Sequence, residues 1–257
     1  MEKSPYDLCA SVLRRLDEAG VLDEVVIVGS WCVLFYERYF NTPEYRATIR
    51  TRDLDIAIPM PPRFGRNVDL ADQLGQLGFV MDFKGSDGYI RFLHPDLIVE
   101  FLVPERVRST NKPFDVPALG INAQPLRFLD LLLGDTISVP FQSVNVRLPH
   151  PARFALHKLL ISGRRPSEKA ERDREQAVAV VRALEIAGEC AHCVTRSVGS
   201  LQVVQARSSL YRYCRRWSVS TPPLVGSFNS PSLLPASQAS LSAVGCFRIS
   251  PMASTPP

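Results

Sequence analysis

Cys9, Val12, Leu13 and Leu16 recur with the spacing of one helix face, which predicts a helix over residues 6–19 stopped by Gly20. The unbroken apolar run Val25, Val26, Ile27 and Val28 predicts a short buried strand. Gly29-Ser30 follows it, and residues 31–40 return to helical spacing, with Trp31, Phe35 and Tyr36 on the core face. After a polar connection over 41–52 the period changes to two. Asp53 and Asp55 alternate with Leu54 and Ile56, so residues 54–58 read as a strand ending at Pro59. A helix is expected over 69–77, closed by Gly78, and strands over 79–83, 89–93 and 97–103. Gly85-Ser86-Asp87-Gly88 joins the first two of these by a turn. Residues 125–133 read as a helix and 136–148 as two short strands or a hairpin. Residues 154–161 and 167–187 read as helices, the last with Ser167 as its N-cap. The order predicts an α+β fold: a mixed β-sheet flanked by helices, then a helical region.

Beyond Glu189 the pattern stops. Residues 191–257 hold 14 Ser and 7 Pro with no sustained period, the composition of a disordered tail. The charge divides at the same place. All 26 acidic residues and 24 of the 30 basic ones lie at or before Glu189, so the formal +4 of the chain is a body at −2 and a tail with six arginines. A near-neutral body argues against extended non-specific nucleic-acid binding by the folded part. Lys, Asp and Glu vanish together at the boundary, which one reading explains as translation out of frame after a frameshift. Resequencing the locus decides that reading. Cys9 and Cys32 sit in apolar patterns and are expected as buried thiols. Cys190, His192 and Cys193 have ligand chemistry, but no second pair follows at zinc-finger spacing. No apolar run reaches membrane-spanning length and the N-terminus lacks a signal-peptide core. The expectation is a cytoplasmic protein with no membrane partner.

Candidate chemistry sits on three segments. At Gly29-Ser30 a strand ends and a helix opens, a place where backbone amides suit phosphate oxygens. Asp53 and Asp55 share one strand face, where two carboxylates repel unless a cation lies between them and a substrate phosphate. The alternative is a solvated edge strand carrying two surface acids. Glu100 is the one charge in the apolar run 97–103, and a buried acid needs a metal or a paired cation; the plain alternatives are a pair with an arginine such as Arg91 or Arg52, or exposure on the sheet face. Two magnesium ions on these three carboxylates suit transfer chemistry on a triphosphate. Glu100 would then be the base or a ligand of the ion nearest the attacking hydroxyl. Lys158, Arg50 and Arg52 are candidates for triphosphate oxygens, with solvated or ion-paired side chains as the plain alternative. The charges between Arg164 and Glu175 alternate in sign and read as a salt-bridged solvent face. His157 reads as a packed histidine.

Val28-Gly29-Ser30, then Arg50-Thr51-Arg52-Asp53-Leu54-Asp55-Ile56, then Val99-Glu100-Phe101-Leu102 together resemble the polymerase-β-type nucleotidyltransferase superfamily. The Arg-x-x-Asp-x-Asp form is similar to bacterial nucleotidyltransferase-like proteins related to AbiEii-type toxins, as is the helical segment carrying Lys158, Lys169, Arg172 and Asp173. The resemblance covers about residues 20–187 and implies a nucleotidyltransferase fold. It assigns a catalytic domain to 1–148, a helical C-terminal region to 149–189 and a tail to 190–257. It implies Asp53, Asp55 and Glu100 as catalytic and Mg2+-binding residues, and Gly29, Ser30, Arg50, Arg52 and Lys158 as NTP-binding residues. It implies transfer of a nucleoside monophosphate from NTP to a hydroxyl of RNA, protein or a small molecule, with an antitoxin-like partner. The alternatives are an inactive or truncated binding or regulatory protein of the same fold, and a metal-dependent nuclease. Two departures stand out. The interval from Gly29-Ser30 to Asp53 is longer than in compact members, and the helical region is short.

Overall fold

The computed structural model describes residues 4–46, 51–105 and 112–189. The tail expected over 190–257, its cysteines and Arg50 lie outside the described residues. Helix α1 (Pro5–Glu18) begins where the Ser4 side chain accepts from the Asp7 amide, with Pro5 in the first turn, where its missing N–H costs nothing. Its buried stripe of Leu8, Cys9, Val12, Leu13 and Leu16 is the one the spacing predicts, and both Cys9 and Cys32 are fully buried. Strand β1 (Val26–Val28) enters a single 3-10 turn (Gly29–Trp31) and then helix α2 (Cys32–Phe40). Trp31, Phe35 and Tyr36 are buried core residues, as the helical spacing indicates.

The sheet forms around β2 (Asp53–Ala57) and β5 (Ile98–Pro104), which run parallel. β1 pairs antiparallel with β2. On the other side of β5 come β4 (Tyr89–Leu93) and the edge strand β3 (Val80–Lys84), both antiparallel. The turn at 85–88 joins β3 and β4 as a hairpin. Helix α3 (Leu70–Gly75) precedes them, capped by Asp69. Two further strands, β6 (Phe114–Val116) and β7 (Ile121–Leu126), extend the sheet, β7 running parallel to the end of β5. Leu54, Ile56, Val99 and Phe101 fill the core on one face of the sheet. On the opposite face Val28, Ala57, Leu102, Leu129 and Leu132 form a smaller apolar cluster.

The expected helix over 125–133 shortens to α4 (Leu129–Leu133). Residues 124–126 are drawn into the ladder with Leu102, Val103 and Pro104, and Phe128 turns the chain at φ +63°. Strands β8 (Thr136–Phe141) and β9 (Val144–Pro149) form the hairpin foreseen over 136–148. Helices α5 (Pro151–Ser162) and α6 (Ser167–Ile186) complete the order. Pro166, not Ser167, stands at the N-cap of α6, because Pro166 holds the extended backbone and Ser167 is already helical. The architecture is the α+β arrangement of a mixed sheet flanked by helices. Among the described residues no helix is long and apolar enough to cross a membrane.

Candidate active site

The register of β2 and β5 sets one wall of the site. Asp55 lies opposite Glu100, and Asp53 opposite Ile98, on strands about 4.8 Å apart. Leu54 and Val99, at the intervening positions, point into the core and are fully buried. Period two therefore turns Asp53, Asp55 and Glu100 to the same face. Asp53 is exposed, while Asp55 and Glu100 are partly buried.

The Gly29 turn closes over Asp55. Val28 pairs with Asp55 in the ladder, and Gly29 follows at φ +73°. A methyl group built on Gly29 would lie 2.1 Å from Oδ2 of Asp55, so the carboxylate rests against bare backbone there. Burial pushes the Asp55 carboxyl up to about 7, assisted by the charges of Glu100 and Asp53, while Lys158 and Lys84 pull it down. Gly29→Ala meets both the left-handed backbone cost, about 1–2 kcal/mol, and a collision with that carboxylate. The expected result is a destabilised protein, by urea denaturation, in which Asp55 is displaced and any phosphate chemistry of the site is lost. A variant of unchanged stability would contradict this packing.

Helices α5 and α6 build the opposite wall. Lys158 and Asp173 are 4% and 3% exposed, and Lys158 Nζ donates to Asp173 Oδ1 at 2.8 Å. The other oxygen of Asp173 accepts from Arg165 at 3.0 Å. Lys158 also reaches Ser30 Oγ at 3.4 Å, and Ser30 Oγ donates to Gln176 Oε1 at 3.4 Å. These contacts tie the Gly29-Ser30 turn to both helices. His157 is buried and held neutral, its pKa lowered to about 3 by burial first and by the Lys158 and Arg165 charges next. This is the packed histidine expected from the sequence.

A cleft of about 760 Å³ separates the two walls. Asp53, Asp55, Glu100 and Lys84 line the sheet side; Lys158, Arg165, Lys169 and Arg172 line the helix side. Of the candidate residues, Gly29, Ser30, Arg52, Asp53, Asp55, Glu100 and Lys158 all reach this cleft. The Arg52 guanidinium is bonded to the Pro95 carbonyl, and Glu100 is met by neither Arg52 nor Arg91. Its partner is Lys84, at 2.8 and 2.9 Å from its two oxygens.

Asp53 and Asp55 fit a hard divalent cation. They are oxygen donors on one face, and the proton affinity of Asp55 is raised by burial first and by the Glu100 and Asp53 charges next, both of which a bound cation would offset. Glu100 fits less well, since both its oxygens already hold an ammonium. Among the described residues no three His, Cys, Asp or Glu side chains form a ready cation cage.

Sequence reasoning missed Lys84; its solvent-face reading of the charges between Arg164 and Glu175 holds for all of them but Asp173, which is buried while the others are exposed. Arg172 and Glu168 form a surface pair on that face, at 3.2 Å. Within that face Arg165, Lys169, Arg172 and Gln176 recur at intervals of three or four, a polar stripe that also lines the cleft. That stripe was the available signal.

A family model described as Nucleotidyltransferase matches residues 7–189. No curated protein matches the chain. Among solved structures, the chain is similar to the antibiotic-resistance factor ANT(2'')-Ia, at 13% identity and TM-score 0.37 over 83% of this chain and 95% of that one. It is also similar to an antigenic nucleotidyltransferase-like protein from Paracoccidioides brasiliensis, at 14% identity and TM-score 0.47 over 84% and 91% of the two chains.

Proposed function

The chain belongs to the nucleotidyltransferase family, and on that premise we propose that it moves a nucleoside monophosphate from a triphosphate to an acceptor hydroxyl, releasing pyrophosphate. The observation that carries the reading is the pairing of an acidic sheet wall with a basic helix wall across one cleft, with the Gly29 turn against Asp55. Asp53 and Asp55 would hold magnesium, which when bound neutralises triphosphate charge and polarises the α-phosphate. Lys158, Arg165 and Lys169 face that charge from the helix side and orient the triphosphate tail. Ser30, fixed by Lys158 and Gln176, presents its hydroxyl beside the turn amides that suit phosphate oxygens.

The acceptor oxygen forms its bond to the α-phosphorus as the bond from that phosphorus to the bridging oxygen breaks, and the electron pair leaves with pyrophosphate. Each Glu100 oxygen keeps a lone pair beyond the one given to Lys84, so Glu100 can accept the hydroxyl proton. The proposed acceptors are a hydroxyl of RNA, of a protein side chain or of a small molecule.

The test is incubation of the full chain with each α-labelled triphosphate, magnesium, total RNA and lysate protein. The α-label is expected on an acceptor, with pyrophosphate released and no transfer of a γ-label. Cleavage of RNA without added triphosphate would replace this reading with a nuclease. Magnesium-independent triphosphate binding without transfer would replace it with a binding module.

A further inference from the structure

We propose that Lys84, and not a second divalent ion, supplies the positive charge that Glu100 holds beside the reaction centre. The inference rests on the transfer reading above and narrows it: one ion resides on Asp53 and Asp55, and a side chain takes the other cationic role.

The geometry of the sheet face carries the case. Glu100 lies opposite Asp55 on one side and opposite Arg91 on the other. By register Arg91 is the cation placed to meet it. Arg91 turns away and donates from Nε to Asp82 at 2.7 Å. Lys84 stands on β3, with β4 between it and β5, and it reaches across β4. Its Nζ donates to both Glu100 oxygens, at 2.8 and 2.9 Å. The acceptor is the protected partner: the Glu100 side chain is 14% exposed, against 42% for Lys84. Both residues line the cleft, so the ammonium meets the carboxylate within the site.

This arrangement differs from three carboxylates waiting for two ions. Both Glu100 oxygens already accept from Lys84, so a divalent cation would be left with their remaining lone pairs, the ones that receive the acceptor's proton. It would also approach an ammonium of like charge at contact distance, in a partly buried cleft where repulsion is poorly screened. Arg91 is not interchangeable in this role. Lysine is a compact point charge on a flexible stem, and its third N–H can be given to a phosphate or acceptor oxygen while two remain on Glu100. The charge at Glu100 is thus carried by the chain itself.

The experiment counts ions. The full-length protein is saturated with a non-hydrolysable triphosphate analogue, and bound Mn2+ per chain is measured by electron paramagnetic resonance. The expected count is one for the wild type, two for Lys84→Met, which frees both Glu100 oxygens, and one for Lys84→Arg. Two ions in the wild type, or one in a folded Lys84→Met protein, overturns the proposal while leaving the transfer reading in place. No bound ion in the wild type overturns the transfer reading, and this proposal with it. If Lys84→Met does not fold, the wild-type count alone decides.

Discussion

Asp55→Asn is expected to lower nucleotidyl transfer by about a thousand-fold or more while making the metal-free protein more stable at pH 8. Asparagine keeps the shape that fits against Gly29 but removes the charge that faces the cleft. A thousand-fold corresponds to about 4 kcal/mol of transition-state stabilisation, within reach of one ionic contact in a partly buried site. The stability effect has the opposite sign, and pH reveals it. The folded-state pKa of Asp55 is raised to about 7, whereas an unfolded aspartate titrates near about 3.9. Between those values the folded protein holds a proton that the unfolded chain has already lost. Proton binding therefore favours the fold at low pH, and this contribution falls away as pH rises from about 4 through about 7. Above that window the wild type carries a crowded, partly buried carboxylate, and the Asn variant does not. In EDTA, melting curves at pH 5 and pH 8 should show a larger loss for the wild type. The gap at pH 8 is on the order of 2 kcal/mol, or about 4–8 °C. Equal melting losses would show that Asp55 is not under this strain. An unchanged transfer rate would remove it from the chemistry.

Asp173→Ala should be the most destabilising single change in the helical wall. Asp173 is buried and accepts from Lys158 and Arg165, one on each oxygen. Arg165 is partly exposed and can turn to water. Lys158 has a side chain only 5% exposed, so removing Asp173 leaves its ammonium with the 3.4 Å contact to Ser30 Oγ and the Phe154 ring, whose centroid lies 5.5 Å from Nζ, in place of a carboxylate. Breaking one side of a buried pair costs about 3–5 kcal/mol, while replacing both sides by apolar groups is often close to neutral. The double variant Lys158→Met with Asp173→Leu should recover most of the stability lost in Asp173→Ala. It should not recover function. Without the ammonium beside Ser30, the KM for triphosphate rises in Lys158→Met whether or not Asp173 is present. A double-mutant cycle by chemical denaturation, with steady-state kinetics on each variant, separates the two roles. Asp173→Ala melting with the wild type would show that Lys158 finds another partner and that the buried pair has no structural weight.

Much of the site was legible because its signals are local. Alternation around Asp53 and Asp55 announces a strand with two acids on one face, and that face forms the wall of the cleft. A lone acid in the apolar run around Glu100 announces a need for a partner. A strand, a glycine and a small hydroxyl residue in succession announce the Gly29-Ser30 turn. Less was legible where partners come from far along the chain. Residues 124–126 joined a strand because the end of β5 offered a free parallel edge. Lys84 carries no mark in its own hairpin of the carboxylate two strands away.

What the chain determined by itself is periodicity: which faces are apolar, where turns fall, and which strands carry intrusive acids. These follow from backbone geometry over a few residues. What only the tertiary structure decided is which charge meets which. Lys84 on Glu100, and Asp173 under Lys158 and Arg165, depend on register across strands and on the facing of two helices. A buried charge takes whatever opposite charge the packing brings within about 3 Å, because leaving it alone costs several kcal/mol. Nothing in the neighbouring residues records which partner that is.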